Sequence, residues 1–295
     1  MPSTLRPASL PDPLGPFRCL HGHLVDLFDR LSPEDWQRPV PDSEWTVKDT
    51  AAHLLDSDLR RLSFQRDGMT PPPPEEPIRS PADLTAFLNR LNADWVRASQ
   101  RLSPRVIVEM TRWAGAEVVD LFESLDPEGD ALFPVVWAGE ERSTHRFDVA
   151  REVTEKWVHQ QQIRDATERP GPESPDGPEI LHVVLATFLQ ALPYGYRDTE
   201  APDGTLLAIR IRGDGGGEWA LRRDGDRWQL LEGRVENPDD ERVPGAPAGI
   251  LTTDTDTAWR VLSTRRKKAS LLPNIEITGD RDLAAGFAAT VAVMA

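Results

Sequence analysis

The sequence predicts an α-helical bundle followed by a smaller α+β domain. Upstream of residue 168, apolar residues recur at three- and four-residue steps, which is typical of amphipathic helices. Downstream of residue 180, short segments alternate apolar and polar residues, as strands with one buried face do. The stretch 168–179 (ERPGPESPDGPE) is rich in proline, glycine and acidic residues, so it interrupts regular structure and marks the domain boundary.

Helical runs make up the predicted first domain. They cover residues 17–31, 46–64, 82–101, 104–125 and 146–167. The second run begins at Thr46, whose hydroxyl group can cap the N-terminus of a helix. Because these helices are joined by long loops rather than by strands, they indicate a bundle.

The predicted second domain mixes strands with helices. Strands are expected over 205–213, 217–223, 227–232, 245–253 and 273–278, and helices over 257–266 and 282–294. Asp224-Gly225 lies at a predicted hairpin turn, and we expect an antiparallel sheet. The chain then divides into a flexible N-terminal segment (1–16), the bundle (17–168), a linker (169–179) and the α+β domain (180–295).

The composition excludes several classes of protein. Among 295 residues, 49 are acidic and 34 basic, and the formal net charge of −15 argues against nucleic acid or an anionic membrane as the main partner. No stretch is apolar enough to span a membrane, and no signal peptide is recognisable, so a cytoplasmic protein is expected. The single cysteine, Cys19, excludes an internal disulfide and a cysteine-based zinc site.

One motif on the last bundle helix can carry chemistry. Glu155 and His159 are four residues apart, so they share a helix face and can bind one metal ion together. A solvated Glu–His pair is the simpler interpretation of such an isolated motif. The apolar stripe of this helix consists of Phe147, Ala150, Thr154, Trp157, Val158 and Gln161, whereas the motif belongs to a second stripe of Asp148, Glu155, His159, Gln162 and Ala166. A second polar face on this helix favours a metal-binding role for Glu155 and His159, although simple exposure of that face to water would also explain its composition.

A third ligand would have to come from another helix. His53 lies on the second predicted helix, where Thr50 and Ser57 flank it at helical spacing and leave room for a ligand. A lone helical histidine is more often structural than a metal ligand. Its position on a separate helix is nonetheless what the Glu155–His159 pair requires.

These segments resemble a known family. Residues 44–54 (EWTVKDTAAHL) resemble the second-helix signature W-T-V-K-D-x-x-A-H-L of DinB-like four-helix bundles and, more narrowly, the actinobacterial mycothiol-dependent maleylpyruvate isomerase family. Residues 151–166 (REVTEKWVHQQQIRDA) resemble the last, metal-bearing helix of that family. The C-terminal half, with Thr278-Gly279-Asp280, is similar to the sterol-carrier-like second domain of the family. The resemblance covers about residues 17–295.

The resemblance implies a metal site and a thiol cosubstrate. In the family a metal, usually zinc, is held by residues that correspond to His53, Glu155 and His159. Two imidazoles and a carboxylate leave a coordination position open, and this ligand set also suits nickel, iron or manganese. In isomerases of this family the cosubstrate is a low-molecular-weight thiol such as mycothiol. It adds to the double bond of maleylpyruvate, the resulting single bond rotates, and elimination of the thiol leaves the trans product.

The chain departs from the family pattern at Gln162, where many relatives carry an aspartate. This departure affects the expected substrate more than the metal site. Three functions therefore stay open: a thiol-dependent S-transferase or isomerase acting on a small electrophile, a metal-dependent hydrolase that activates water, and a non-catalytic metal-binding bundle that serves as a ligand-binding or stress protein. Thiol dependence of turnover would distinguish the first two.

Four further residues are candidates for supporting roles. Asp56 and Gln162 could hydrogen-bond a ligating imidazole, as partners of metal ligands commonly do. Arg222 and Arg223 on a predicted strand could clamp a substrate carboxylate, although arginines that alternate on a strand more often face solvent. The sequence identifies no catalytic residue beyond the metal ligands and leaves the oligomeric state open.

Overall fold

The computed structural model describes residues 5–41, 43–169, 171, 176–235, 246–263 and 268–292. The chain forms two compact units. The bundle unit comprises residues 13–133 and 144–174, and the sheet unit comprises Met1–Asp12, Pro134–Ser143 and Pro175–Val293. Among the described residues, no helix is long and apolar enough to cross a membrane.

The bundle unit contains the helices that the sequence predicts. They are α1 (Leu14–Asp29), α2 (Val47–Arg60), α3 (Pro81–Ser99), α4 (Pro104–Ser124) and α5 (His145–Ala166). α1 packs against α4 and α5, and α2 packs against α3, α4 and α5. The buried rings of Phe17 on α1 and Phe122 on α4 meet with their centroids 4.9 Å apart.

The two ends of α2 are built differently. At the N-terminus, Thr46 caps the helix as predicted: its side chain accepts a hydrogen bond from the Asp49 backbone, and the Asp49 carboxylate accepts one from the Thr46 backbone. This reciprocal capping box satisfies two backbone donors. At the other end, a π-helical turn (Arg61–Arg66) continues the chain, so the predicted helix 46–64 changes its hydrogen-bond pattern after Arg60.

The sheet unit is built around a six-stranded sheet in the order β1-β4-β3-β2-β5-β6. The strands are β1 (Arg6–Pro7), β2 (Leu206–Arg212), β3 (Gly217–Asp224), β4 (Arg227–Glu232), β5 (Gly249–Asp254) and β6 (Glu276–Gly279). The hairpin at Asp224-Gly225 is confirmed, since β3 and β4 pair as far as Asp224 and Arg227 and Gly225 has a φ of 60°.

The expectation of an antiparallel sheet is wrong for one pair of strands. β5 lies beside β2 rather than beside β4, its predecessor in sequence, and runs parallel to β2. The N-terminal segment also differs from the expected flexible lead-in over 1–16. Its residues Arg6 and Pro7 form β1, which pairs with β4, and α1 already begins at Leu14.

The sheet unit also contains helices that alternation could not reveal. α6 (Gly177–Leu189) and α7 (Leu192–Gly195) follow the proline-rich stretch, and most side chains of α6 are buried. A helix that is apolar all round has no amphipathic stripe to detect. α8 (Thr255–Ser263), α9 (Lys268–Leu271) and α10 (Arg281–Ala289) complete the unit. Parts of the predicted linker 169–179, strand 245–253 and helices 257–266 and 282–294 lie outside the described residues.

Candidate metal centre

Two helices of the bundle unit bring His53, Glu155 and His159 together. The Nε2 atom of His53 on α2 lies 2.9 Å from Glu155 Oε1 on α5, and His159 Nε2 lies 3.2 Å from the same oxygen. One ligand atom from each of the three residues lies within 4.8 Å of the others. No other group of three or more His, Cys, Asp or Glu side chains in the described part of the chain has this arrangement.

The helical period explains how α5 supplies two of the three groups. Glu155 and His159 are one turn apart, so their side chains project from the same face. His53 enters from α2, and its ring meets the His159 ring at a centroid distance of 4.8 Å and an angle of 77°. The site is therefore an i,i+4 pair completed by one residue that lies more than 100 positions away in sequence.

Burial and the neighbouring groups shift the pKa of each of the three residues in opposite directions. Burial lowers the pKa of His53, although the hydrogen bond with Glu155 acts in the other direction. Burial alone would raise the pKa of Glu155, but the charge and hydrogen bonds of His159 and His53 bring it well below its usual value. Burial likewise lowers the pKa of His159, and the charge and hydrogen bond of Glu155 more than compensate, so the net pKa is raised. The carboxylate is thus held ionised between two imidazoles.

Gln162 determines which nitrogen of His159 faces the site. His159 Nδ1 lies 2.8 Å from Gln162 Oε1, which can only accept a hydrogen bond, so Nδ1 carries the proton. In neutral His159 the Nε2 lone pair then points at the Glu155 carboxylate oxygen. A proton on Nε2, which the raised pKa of His159 favours, removes the repulsion between the two electron pairs at 3.2 Å, and a metal cation bound at the same place would do so as well. The donor set therefore fits a divalent cation, for which two imidazoles and one carboxylate are suitable ligands.

Trp45 packs against both imidazoles. Its ring centroid lies 5.0 Å from that of His53 and 6.4 Å from that of His159. Trp45 immediately precedes the capping residue Thr46, so the N-terminus of α2 fixes its place beside the site. The indole ring limits the rotation of the two imidazoles and covers one side of the centre with an apolar surface.

The structure places Asp56 away from the expected hydrogen bond. Its carboxylate pairs with Arg60 Nε at 3.1 Å, one turn further along α2. His53 Nδ1 is buried and has no hydrogen-bond partner in the described part of the chain. The prediction that Asp56 orients the His53 ring is therefore wrong, because the neighbouring guanidinium attracts the carboxylate more strongly than a neutral imidazole does.

Arg222 and Arg223 do not form a clamp. They are consecutive residues of β3, so their side chains leave opposite faces of the sheet. Arg222 is exposed and donates to Gln229, whereas Arg223 donates to the Thr199 carbonyl group and lies over the Trp228 ring. One carboxylate cannot be gripped by two arginines that face apart, so the predicted clamp is wrong.

Sequence reasoning missed a second charged cluster between α2, its π-helical turn and α5. This ion-pair cluster consists of Asp58, Arg61, Asp148, Glu152 and Lys156, all of them buried. Arg61 bonds both carboxylate oxygens of Asp148 at 2.6 and 2.7 Å and Glu152 at 2.7 Å, and Lys156 Nζ lies 2.7 Å from Asp58 Oδ1. The four-residue spacing of Asp148, Glu152 and Lys156 on α5 was the available signal.

Comparison with known proteins decides the family. A family model described as the mycothiol maleylpyruvate isomerase N-terminal domain matches residues 17–164. The chain belongs to this family. The predicted resemblance to this family is thereby confirmed, and the match includes all of the first motif and residues 151–164 of the second.

Solved structures extend the likeness to both halves of the chain. Two crystal structures of the mycothiol-dependent maleylpyruvate isomerase, one of them of a histidine-to-alanine mutant, match with a TM-score of 0.52 and 12% sequence identity. Each match covers 90% of this chain and 91% of the other. At this identity the likeness shows a shared fold, which confirms the predicted fold class. No curated protein matches the chain in sequence.

Family membership also bears on the expectation of an enzyme. The matching family and both structures are named for an isomerase that depends on a low-molecular-weight thiol. The prediction of an enzyme is confirmed by membership of this family. A thiol cosubstrate and a small substrate are consistent with the family.

Proposed function

We propose that this protein is a metal-dependent enzyme that isomerises maleylpyruvate from cis to trans by reversible addition of mycothiol. The convergence of His53, Glu155 and His159 on one point carries the proposal. The family name and the names of the two matching structures supply the thiol and the substrate. Zinc is the proposed metal because two imidazoles and a carboxylate are a common ligand set for catalytic zinc.

The three ligands have different roles in the proposed site. His53 ties α2 to α5, and Glu155 supplies the negative charge that favours a cation over a neutral molecule. His159 presents Nε2 to the centre because Gln162 holds the proton on Nδ1. A divalent cation bound by these groups would lower the pKa of a coordinated thiol and so favour the nucleophilic thiolate.

Trp45 contributes an apolar surface to the proposed site and carries no charge. Its ring lies against the His53 and His159 imidazoles, so it keeps water from one side of the centre. Exclusion of water strengthens electrostatic interactions inside a site and protects a thiolate from protonation.

The first experiment measures metal and turnover on the same samples. Metal per chain is determined by plasma mass spectrometry for the wild type, His53→Ala and the double variant Glu155→Ala/His159→Ala. The zinc-loaded proteins are then incubated with maleylpyruvate, with and without mycothiol, and the trans isomer is followed by proton NMR. Arg97→Met serves as the control, because Arg97 is exposed on α3.

We expect about one metal ion per chain in the wild type and the control, and almost none in the two ligand variants. Turnover should require both metal and thiol. Turnover of an ester or amide without thiol would favour the hydrolase instead. A metal that binds but exchanges no ligand with thiol or water would favour the non-catalytic bundle.

A further inference from the structure

A stripe of polar side chains on α2 continues beyond the metal centre. This α2 polar stripe consists of Asp49, His53, Asp56 and Arg60. Arg60 follows His53 by seven residues, which is close to two helical turns, so the two side chains leave nearly the same face. The stripe places a guanidinium group on the face of α2 that carries a metal ligand.

The Arg60 side chain leans towards His53. Helical side chains point to the turn that precedes them, and Arg60 Nε is 3.1 Å from Asp56 Oδ2, one turn closer to His53. The guanidinium is therefore directed along α2 towards the turn that carries His53.

Arg60 is held in place and keeps hydrogen-bond donors to spare. Asp56 binds Nε, and Asn92 on α3 accepts from Nη2 at 3.2 Å. Within the described residues, Nη1 has no hydrogen-bond partner, and 27% of the side chain is exposed. A fixed guanidinium with free donors matches the planar, two-oxygen geometry of a carboxylate.

The neighbouring arginines are less suitable. Arg61 is buried and its two terminal nitrogens are engaged by Asp148, Glu152 and Gln65. Arg151 lies one turn before Glu155 on α5, and its side chain leans away from Glu155 to Asp148 at 2.6 Å. Of these three cations, Arg60 alone leans towards the metal centre while retaining a free nitrogen.

We propose that Arg60 binds a carboxylate group of the substrate and so selects anionic electrophiles for the metal centre. The substrate would place one carboxylate on the Arg60 guanidinium and its reactive double bond near His53, Glu155 and His159. Asn92 and Asp56 are then positioning residues, which hold the guanidinium in one orientation. This inference rests on the proposed function for the identity of the reaction, but not for the binding of the anion.

The test measures binding without turnover. Succinate is a saturated dicarboxylate that cannot accept a thiol, and succinamide is its neutral counterpart. Their dissociation constants are measured by ligand-observed NMR on the zinc-loaded wild type, Arg60→Met, Arg60→Lys and the surface control Arg97→Met. Metal content and circular dichroism confirm that each variant is folded and loaded, and Arg60→Lys retains a cation able to pair with Asp56.

We expect succinate to bind about tenfold more weakly to Arg60→Met, since a hydrogen-bonded charge is lost. Arg60→Lys should recover part of that loss, and Arg97→Met should behave as the wild type does. Succinamide binding should not distinguish the variants. A loss of less than threefold for succinate in Arg60→Met, or an equal loss for succinamide, overturns the inference.

Kinetics separate this inference from the proposed function. If the wild type isomerises maleylpyruvate, Arg60→Met should raise KM about tenfold and change kcat much less, because the carboxylate is remote from the reacting carbon. If the wild type shows no isomerisation while succinate binding depends on Arg60, the proposed function fails and the anion site stands. If isomerisation occurs with an unchanged KM in Arg60→Met, the anion site fails and the function stands.

Discussion

Two charged regions lie between α2 and α5, and they differ in how their charges are balanced. In the ion-pair cluster, Asp58 faces Lys156, and Arg61 faces Asp148 and Glu152. In the metal centre, two imidazoles and a carboxylate converge, and neither Lys nor Arg is paired with Glu155 among the described residues. The first region contains lysine and arginine as permanent counterions, whereas in the second Glu155 has only titratable imidazoles as partners, and we propose that a metal cation binds there.

The same pair of helices, α2 and α5, can therefore stabilise the fold through one charged region and bind a ligand through the other. Buried charges are tolerated when each has a partner, because desolvation is then offset by direct ion pairing. The cluster meets this condition with groups from the chain itself. In the candidate metal centre the partners of Glu155 are imidazoles that titrate and that a cation could replace, so the two regions should respond differently to mutation, pH and metal.

The largest effect should come from breaking the ion-pair cluster. Lys156→Met leaves the buried carboxylate of Asp58 unpaired, and we expect the free energy of unfolding to fall by about 3–5 kcal/mol. The double variant Asp58→Leu/Lys156→Met removes both charges and should lose much less. Urea unfolding measures both, with Arg97→Met as an exposed control. Equal losses in the single and double variants would show that packing, rather than pairing, dominates here.

A smaller effect should appear when the pH is lowered. Burial lowers the pKa of His21 on α1 to about 4, and the positive charge of Lys156 adds to this shift. Between pH 6.5 and 4 the unfolded chain therefore binds more protons at His21 than the folded chain does. The contribution of His21 to the free energy of unfolding should be fully present above pH 6.5 and should fall by about 3 kcal/mol as the pH drops to 4.

His21→Leu should flatten this dependence. Unfolding by urea is measured at pH 4, 5, 6 and 7 for the wild type and the variant, both free of metal. The difference between the two profiles isolates His21, because the other titrating groups are shared. Parallel profiles would mean that His21 is protonated in the folded protein despite its burial.

The smallest of these effects concerns the metal centre. Gln162→Leu removes the acceptor that keeps the proton on His159 Nδ1, and we expect zinc to bind about tenfold more weakly. Gln162→Glu should bind zinc more tightly than the wild type, because a carboxylate makes the imidazole more basic. Competition with a chromophoric chelator measures the dissociation constants. Unchanged affinity in both variants would show that Gln162 does not orient the ligand.

The order of these effects reflects burial. Lys156 and Asp58 are each about 1% exposed, so an unpaired charge there has no access to water. Glu155 has 36% of its side chain exposed, and it can be hydrated when no cation is bound. The metal centre is therefore expected to tolerate the metal-free state, whereas the ion-pair cluster does not tolerate the loss of one partner.

The sequence by itself determined the features that depend on local spacing. The helical period set the bundle helices and put Glu155 and His159 on one face, and Thr46 determined where α2 begins. Family motifs added His53 as the proposed third ligand. At the other end of the chain, the position of Gly225 determined the β3–β4 hairpin, because a positive φ is easily adopted by glycine.

Only the tertiary structure decided the partners of residues that are distant in sequence. Lys156 meets Asp58 across 98 positions, and Arg61 meets Asp148 across 87. Two strand pairings also join segments that are far apart in sequence: β2 pairs with β5 in parallel, and Arg6 and Pro7 pair with β4. Local spacing is fixed by backbone geometry, whereas these contacts depend on how whole elements pack, which no short sequence pattern encodes.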